Sequence, residues 1–131
     1  MNKGTQPEEC IYIVDDESAL AQMANTILSF RGYRARIFND PNSALEFLEK
    51  AKIKPSLLIT DCIMGSMNGL ELIEEFKKAV PGIRTILMSG TISNEFVQRC
   101  PVTPDRFIPK PYPADLLLDA VDQLIKPDTG L

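Results

Sequence analysis

The sequence predicts an α/β domain in which an open, doubly wound sheet of five parallel strands is covered on both faces by five helices. Three observations carry that expectation. Short apolar runs rich in branched residues alternate with longer segments of helical period. Most of those runs are apolar at nearly every position, as strands buried on both faces require. The chain, 131 residues long, is the size of one domain with a single core.

Cys10-Ile11-Tyr12-Ile13-Val14 is the first strand. Ala19, Leu20, Met23, Ile27 and Leu28 then recur at helical spacing, and Gly32 ends that helix. Tyr33 to Phe38 is a second strand, more polar, as an edge strand would be. Asp40-Pro41 opens the next helix with a capping side chain and a proline at the first helical position. Ala44, Leu45, Phe47 and Leu48 supply its buried stripe, and Pro55 closes the connection to a third strand, Ser56 to Thr60. Gly69 precedes a helix carrying Leu70, Leu72, Ile73 and Phe76, which Pro81-Gly82 stops. Ile83 to Met88 is the fourth strand. Ile92 to Cys100 forms a short helix that Pro101 and Pro104 keep from running on. Arg106-Phe107-Ile108 is a short fifth strand, and Pro113 starts a last helix with Leu116, Leu117, Leu118, Val121, Leu124 and Ile125. Right-handed crossovers leave few topologies for such a chain, and the expected one is the flavodoxin-like strand order 2-1-3-4-5.

Composition narrows the chemistry. A net charge of -4 gives no electrostatic reason to bind nucleic acid or an anionic membrane. No apolar run approaches the length of a bilayer, and Met1 to Glu9 lacks the apolar stretch of a secretory signal, so a cytoplasmic location is expected. Cys10, Cys62 and Cys100 are odd in number and scattered, unlike a disulfide framework or a zinc site. There is no histidine, which removes the usual general base, the commonest transition-metal ligand and any Ser-His-Asp arrangement. Chemistry must run on carboxylates, a hydroxyl, a lysine and a hard metal ion.

In an open parallel sheet, functional residues gather beyond the carboxyl ends of the strands, above all in the crevice between strands one and three, where the winding reverses. Past strand one come Asp15, Asp16 and Glu17; past strand three, Asp61; past strand four, Ser89-Gly90; past strand five, Lys110-Pro111. Strand two adds only Asn39 and Asp40, which fit a helix cap. Alone, each is ordinary: an Asp pair caps a helix, a loop aspartate forms a turn, Ser-Gly turns a chain and a loop lysine sits in solvent. Together, on one edge, they make a site.

Three converging carboxylates repel strongly at low dielectric, so either one is protonated or a cation sits among them. All-oxygen ligands without histidine favour a hard ion, and Mg²⁺ with several retained waters is the natural candidate. With the charge neutralised, a carboxylate acts as a nucleophile toward phosphorus. Lys110 supplies a cation and Ser89 a hydroxyl donor for the transferred oxygens. Transfer then needs positioning and charge neutralisation rather than a general base.

From Glu9 to Lys126 the chain resembles the receiver domains of bacterial response regulators. The matching pieces are Ile13-Val14-Asp15-Asp16-Glu17, Leu58-Ile59-Thr60-Asp61 with Met64, Asn68-Gly69, Met88-Ser89-Gly90 and Phe107-Ile108-Pro109-Lys110-Pro111. The resemblance implies that Asp61 takes a phosphoryl group from a phosphohistidine of a sensor histidine kinase or phosphotransfer protein. It implies that Asp16, Asp61 and the main-chain carbonyl of Ile63 bind Mg²⁺, with Asp15 acting largely through water. Ser89 and Lys110 would bind the phosphoryl oxygens, Phe107 would be the switch aromatic that turns inward as Ser89 moves, and Lys110-Pro111 would be joined by a cis bond.

The chain departs from that pattern at several positions. Gly65 stands where the family usually has proline, Phe107 replaces the commoner tyrosine, and Gly90 replaces alanine. Ile63 and Thr91 flank the phosphoacceptor, and an apolar Ile63 would shield an acyl phosphate from water, implying slow dephosphorylation.

The expected organisation is a polar tail at residues 1–8, a receiver domain at 9–126 and a tail at 127–131, either a stand-alone regulator or part of a longer one. The expected function is a phosphorelay switch rather than an enzyme. Output would leave through the face of the fourth helix, fifth strand and fifth helix, which family members also use to dimerise. The alternative is a receiver-like interaction module that works without phosphorylation, against which the presence of all five key residues argues. A haloacid-dehalogenase-type phosphatase would need an acid where Ile63 stands, and no G-x-G-x-x-G follows strand one for a dinucleotide. Asp115, Asp119 and Asp122 are expected to form a solvated stripe, Met64 and Met67 to fill a loop, and Cys62 to be a buried, inert thiol.

Overall fold

A computed structural model describes residues 11–125, so Cys10 and both terminal tails lie outside the described residues. The elements are β1 (Ile11–Val14), α1 (Ser18–Phe30), β2 (Ala35–Phe38), α2 (Pro41–Lys50), β3 (Leu57–Asp61), α3 (Gly69–Ala79), β4 (Arg84–Ser89), α4 (Asn94–Gln98), β5 (Arg106–Pro109) and α5 (Ala114–Leu124). The 5-stranded sheet has the order β2-β1-β3-β4-β5, and every adjacent pair is parallel. The expected architecture is the observed one.

Two apolar layers sandwich the sheet. On one face α1 and α5 cover Ile11, Ile13, Ile59 and Met88. On the other, α2, α3 and α4 cover Tyr12, Val14, Leu58 and Leu87. Successive residues of β1 therefore enter opposite cores, which is why the whole strand is apolar and buried. Tyr12 anchors the second layer, its ring 5.0 Å from Phe38 and 5.8 Å edge-on from Phe76. β2 is the half-exposed edge strand its polarity suggested.

The caps follow local chemistry. Gly32, at φ 86, turns the chain out of α1, with Gly32 N–H on the Ser29 carbonyl and Tyr33 N–H on that of Leu28. The Asp40 carboxylate accepts from Ser43 N–H ahead of Pro41. At α3 the cap is Asn68, paired with Glu71 in a reciprocal capping box. Gly69 follows, where a Cβ would lie 2.4 Å from the Asp61 carbonyl and 2.7 Å from Leu87 Cδ1. Its φ is not positive, so close approach, not backbone conformation, demands glycine there.

Several expectations need correction. In α1 the small residues Ala21 and Ala24, with Leu28, face the sheet, while Ala19 is exposed and Met23 is 46% exposed. Small side chains let the helix lie close to the strands, and Met23 turns outward. Leu116 likewise lies outside, because Leu117, Ala120 and Val121 make the buried stripe of α5. The fourth helix spans only Asn94–Gln98, capped by Ser93, rather than Ile92 to Cys100. Asp122 is no solvated bystander: it accepts hydrogen bonds from Tyr33 and from Arg31, tying α5 to the chain between α1 and β2. Among the described residues no helix is long and apolar enough to cross a membrane.

Candidate functional site

Parallel strands deliver their last residues to one edge, and the sequence-predicted residues meet there. Asp61 and Ser89 are the final residues of β3 and β4 rather than the first beyond them. Asp15, 1% exposed, follows β1 and is held at four points. Its N–H donates to the Phe38 carbonyl at 3.0 Å, and its carbonyl accepts from Asn39 Nδ2 at 2.9 Å. Its carboxylate accepts from Glu17 N–H at 2.9 Å and from Lys110 Nζ at 3.1 Å. Lys110 Nζ also donates to Asp61 Oδ1 at 2.8 Å.

Asp16 completes the cluster from an exposed position. One carboxylate oxygen from each of Asp15, Asp16 and Asp61 lies within 4.8 Å of the others. One lysine against three carboxylates leaves negative charge uncompensated, and every donor is oxygen. That set fits a small divalent cation such as Mg²⁺.

The protonation preferences follow from the crowding. Burial raises the Asp61 pKa; the Lys110 hydrogen bond and charge pull it back, while Asp15 and Asp16 push it up again, leaving it above the ordinary carboxylate value. Burial pulls Lys110 down, yet its hydrogen bond to Asp61 and the charges of Asp15 and Asp61 outweigh that, so it holds its proton more tightly than a free lysine. The pair is unequal because Lys110 meets only opposite charge, whereas Asp61 also meets its own kind.

Ser89, 3% exposed, adjoins Lys110 through the main chain, its carbonyl accepting from Lys110 N–H at 2.8 Å. Its hydroxyl faces the loop beyond β4, accepting from Thr91 N–H at 3.1 Å and Ile92 N–H at 2.9 Å. Phe107 is half-buried against the α2–α4 layer. Ile63 is 56% exposed beyond Asp61. Gly65 has open space around it and no positive φ, so nothing in the structure explains a glycine there. At Gly90 an added Cβ would stand 3.8 Å from Lys110 Cβ, ordinary contact. Lys110-Pro111 is a cis peptide, as the resemblance implied.

Met64 is buried and Met67 packs partly buried, both as loop filling. Cys62 is buried and free, its pKa raised by burial first and then by the Asp61 and Cys100 charges, which keeps it a thiol. Asn39 was expected as part of a helix cap, yet Asp40 alone caps α2 and Asn39 binds Asp15. Only its place at a strand end pointed to that role. A cavity of about 260 Å³ opens beside the carboxylates between α1 and the chain after β5, lined by Leu20, Met23, Met88, Pro111 and Tyr112.

Comparisons with known proteins bear on the family and the fold. The model of the response regulator receiver domain matches residues 11–122. The chain is 30% identical over 122 residues to the response regulator MprA of Mycobacterium leprae, covering 90% of this chain and 53% of that protein. It is 27% identical over 117 residues to the sensor kinase CckA of Brucella abortus, covering 88% of this chain and 12% of that protein. The chain thus spans about half or less of the curated relatives named here. Among solved structures, a receiver domain protein from Methanospirillum hungatei superposes with a TM-score of 0.79 at 30% identity, covering 88% of this chain and 91% of that one. The Thermotoga maritima regulator TrrA, solved with Mg²⁺ and BeF, shares the fold at a TM-score of 0.78 and 23% identity, covering 89% of this chain and 99% of that one.

Proposed function

The chain belongs to the response regulator receiver domain family, and from that premise we propose that Asp61 is its phosphoacceptor, charged from the phosphohistidine of a sensor kinase or phosphotransfer protein. Receiver domains of two-component systems are signalling switches rather than conventional enzymes. The observation that carries the assignment is the placement of Lys110 Nζ at 2.8 Å from Asp61 and 3.1 Å from Asp15 within a cluster of three carboxylates.

In the proposed reaction an Asp61 oxygen takes the phosphoryl group as the donor's P–N bond breaks and a P–O bond forms, giving an acyl phosphate and free imidazole. Asp16 and Asp61, with the Ile63 carbonyl and Asp15, would hold Mg²⁺. When bound, that ion supplies positive charge for the phosphoryl oxygens and relieves the carboxylate repulsion. Lys110 already spans two carboxylates and would pivot onto a phosphoryl oxygen, its raised pKa keeping it cationic.

Ser89 carries the switch. Its hydroxyl now satisfies Thr91 and Ile92 N–H, so turning toward a phosphoryl group would withdraw an acceptor from the loop leading to α4. Phe107 would move inward as that loop shifts, altering the face of α4, β5 and α5 that an output partner or second copy would read.

Intact-mass analysis after incubation with Mg²⁺ and a small acyl phosphate tests the assignment. One added phosphate on the wild type and none on Asp61→Asn is expected. An unmodified wild type would instead favour an interaction module independent of phosphorylation.

A further inference from the structure

We infer that Asn39 is a positioning residue for the cation site, acting through the Asp15–Asp16 peptide; this rests on the reading of the carboxylate cluster as a Mg²⁺ site. The β1–β2 ladder runs from Ile11↔Ala35 to Val14↔Phe38, and Asp15 N–H adds one more rung to the Phe38 carbonyl at 3.0 Å. Continued in register, the next rung would be Asp40 N–H on the Asp15 carbonyl. The chain turns away at Asp40, whose side chain caps α2 by accepting from Ser43 N–H at 2.9 Å. Asn39 Nδ2 supplies the missing donor, 2.9 Å from the Asp15 carbonyl. A side chain thus extends the sheet by one rung past the end of its backbone pairing.

That rung falls where aim matters most. The Asp15 carbonyl and the Asp16 N–H share one rigid peptide plane, so fixing the oxygen fixes the direction in which Asp16 leaves the chain. The Asp15 carboxylate has its own restraints in Glu17 N–H and Lys110. The Asp16 carboxylate accepts no hydrogen bond among the described residues and is exposed, so its orientation comes from the backbone beneath it. Asp16 is therefore the member of the cluster most dependent on Asn39. A carboxamide suits the position because it donates toward the carbonyl without adding charge to an acidic cluster.

The test is Mg²⁺ binding by titration calorimetry on the purified chain, with a thermal melt of each protein. Asn39→Ala, and Asn39→Leu, which keeps most of the shape but no donor, are expected to bind Mg²⁺ about tenfold more weakly, the scale on which metal sites respond to lost outer hydrogen bonds. Melting temperatures should change little. Asn42→Ala, which removes a neighbouring exposed amide whose side-chain hydrogen bond among the described residues goes to Ser66, should bind as the wild type does. Asn39 variants that bind as tightly as Asn42→Ala would overturn the inference. So would a loss of affinity that merely tracks a loss of melting temperature. A wild type that takes no Mg²⁺ would instead remove the cation site itself.

Discussion

Lys110 and Asp61, 49 residues apart in sequence, meet at 2.8 Å, and the pair favours the lysine over the aspartate. The Asp61 pKa is raised by burial and by its acidic neighbours despite the ammonium beside it. A carboxyl with a raised folded pKa binds its proton more readily folded than unfolded, so its ionisation costs stability once the pH passes its unfolded value. Asp61→Asn, which can still accept from Lys110, is expected to melt higher than wild type at neutral pH in chelator. Added Mg²⁺ should shrink or reverse the gap, because the variant loses a ligand. Equal melting temperatures in chelator would contradict the electrostatic account.

Lys110→Met removes the only cation within reach of the cluster among the described residues. Breaking this part-buried ion pair from one side should cost about 2 kcal/mol, between the exposed and fully buried cases, and urea unfolding in chelator should register that loss. Phosphoryl transfer from a small donor should slow by a factor on the order of 10² to 10³, as for other lost transition-state donors. A variant as fast as wild type would remove Lys110 from the chemistry.

Gly69→Ala sets two effects against each other. Alanine gains about 1 kcal/mol over glycine in a helix. Its Cβ would lie 2.4 Å from the Asp61 carbonyl, which is main chain and cannot step aside cheaply. Overpacking of that kind costs up to about 3 kcal/mol, so the net expectation is a loss of about 2 kcal/mol by urea unfolding. A stabilised variant would mean that α3 slides freely on β3.

Tyr33 predicts an alkaline weakness. Burial raises its pKa above the ordinary 10.0, and its hydrogen bond to the Asp122 carboxylate and that carboxylate's charge raise it further, opposed by Arg31. The unfolded chain releases the phenolic proton near pH 10.0 while the folded chain keeps it. Its contribution is therefore complete below that pH and is lost as the pH climbs toward the raised folded value. The melting temperature of wild type should fall more steeply above pH 10 than that of Tyr33→Phe, which begins lower but has no phenol to ionise. Parallel slopes would remove Tyr33 from the titration.

Ile63 stands 56% exposed beyond Asp61, the proposed phosphoacceptor, and its side chain offers no group to orient water. Loss of phosphate from the charged protein, followed by intact mass, should be slow and should accelerate several-fold in Ile63→Asn. A wild-type lifetime of seconds, unchanged by the substitution, would refute shielding.

The strands were legible because both faces are buried, leaving apolar runs such as Ile11 to Val14 that no surface element would carry. The site was legible for a related reason: a polar residue ending such a run, as Asp61 and Ser89 do, has no packing role to explain it. Side-chain orientation was harder. Met23 fits a helical stripe by spacing and hydrophobicity, but the sheet selects Ala21 and Ala24 for their small size, a preference hydrophobic period does not encode. Asn39 and Asp122 bond to residues 24 and 91 or 89 positions away, and nothing local in sequence announces such partners. Asn68 was within reach, since Glu71 three residues on completes a recognisable capping pair.

The contact of Arg31 and Tyr33 with Asp122 also orders events in time. A ribosome releases α1 and β2 long before it releases α5, and Asp122, 91 positions after Arg31 and 89 after Tyr33, must emerge before this clasp can close. Until then the side of the sheet that α1 and α5 cover together is short of one helix, with Ile108 and its neighbours open to whatever else is near. Synthesis therefore leaves a nascent chain whose carboxylate edge is largely spelled out, Lys110 included, while one flank is still bare. Nascent-chain proteolysis should register the moment Asp122 arrives as a sharp gain in resistance.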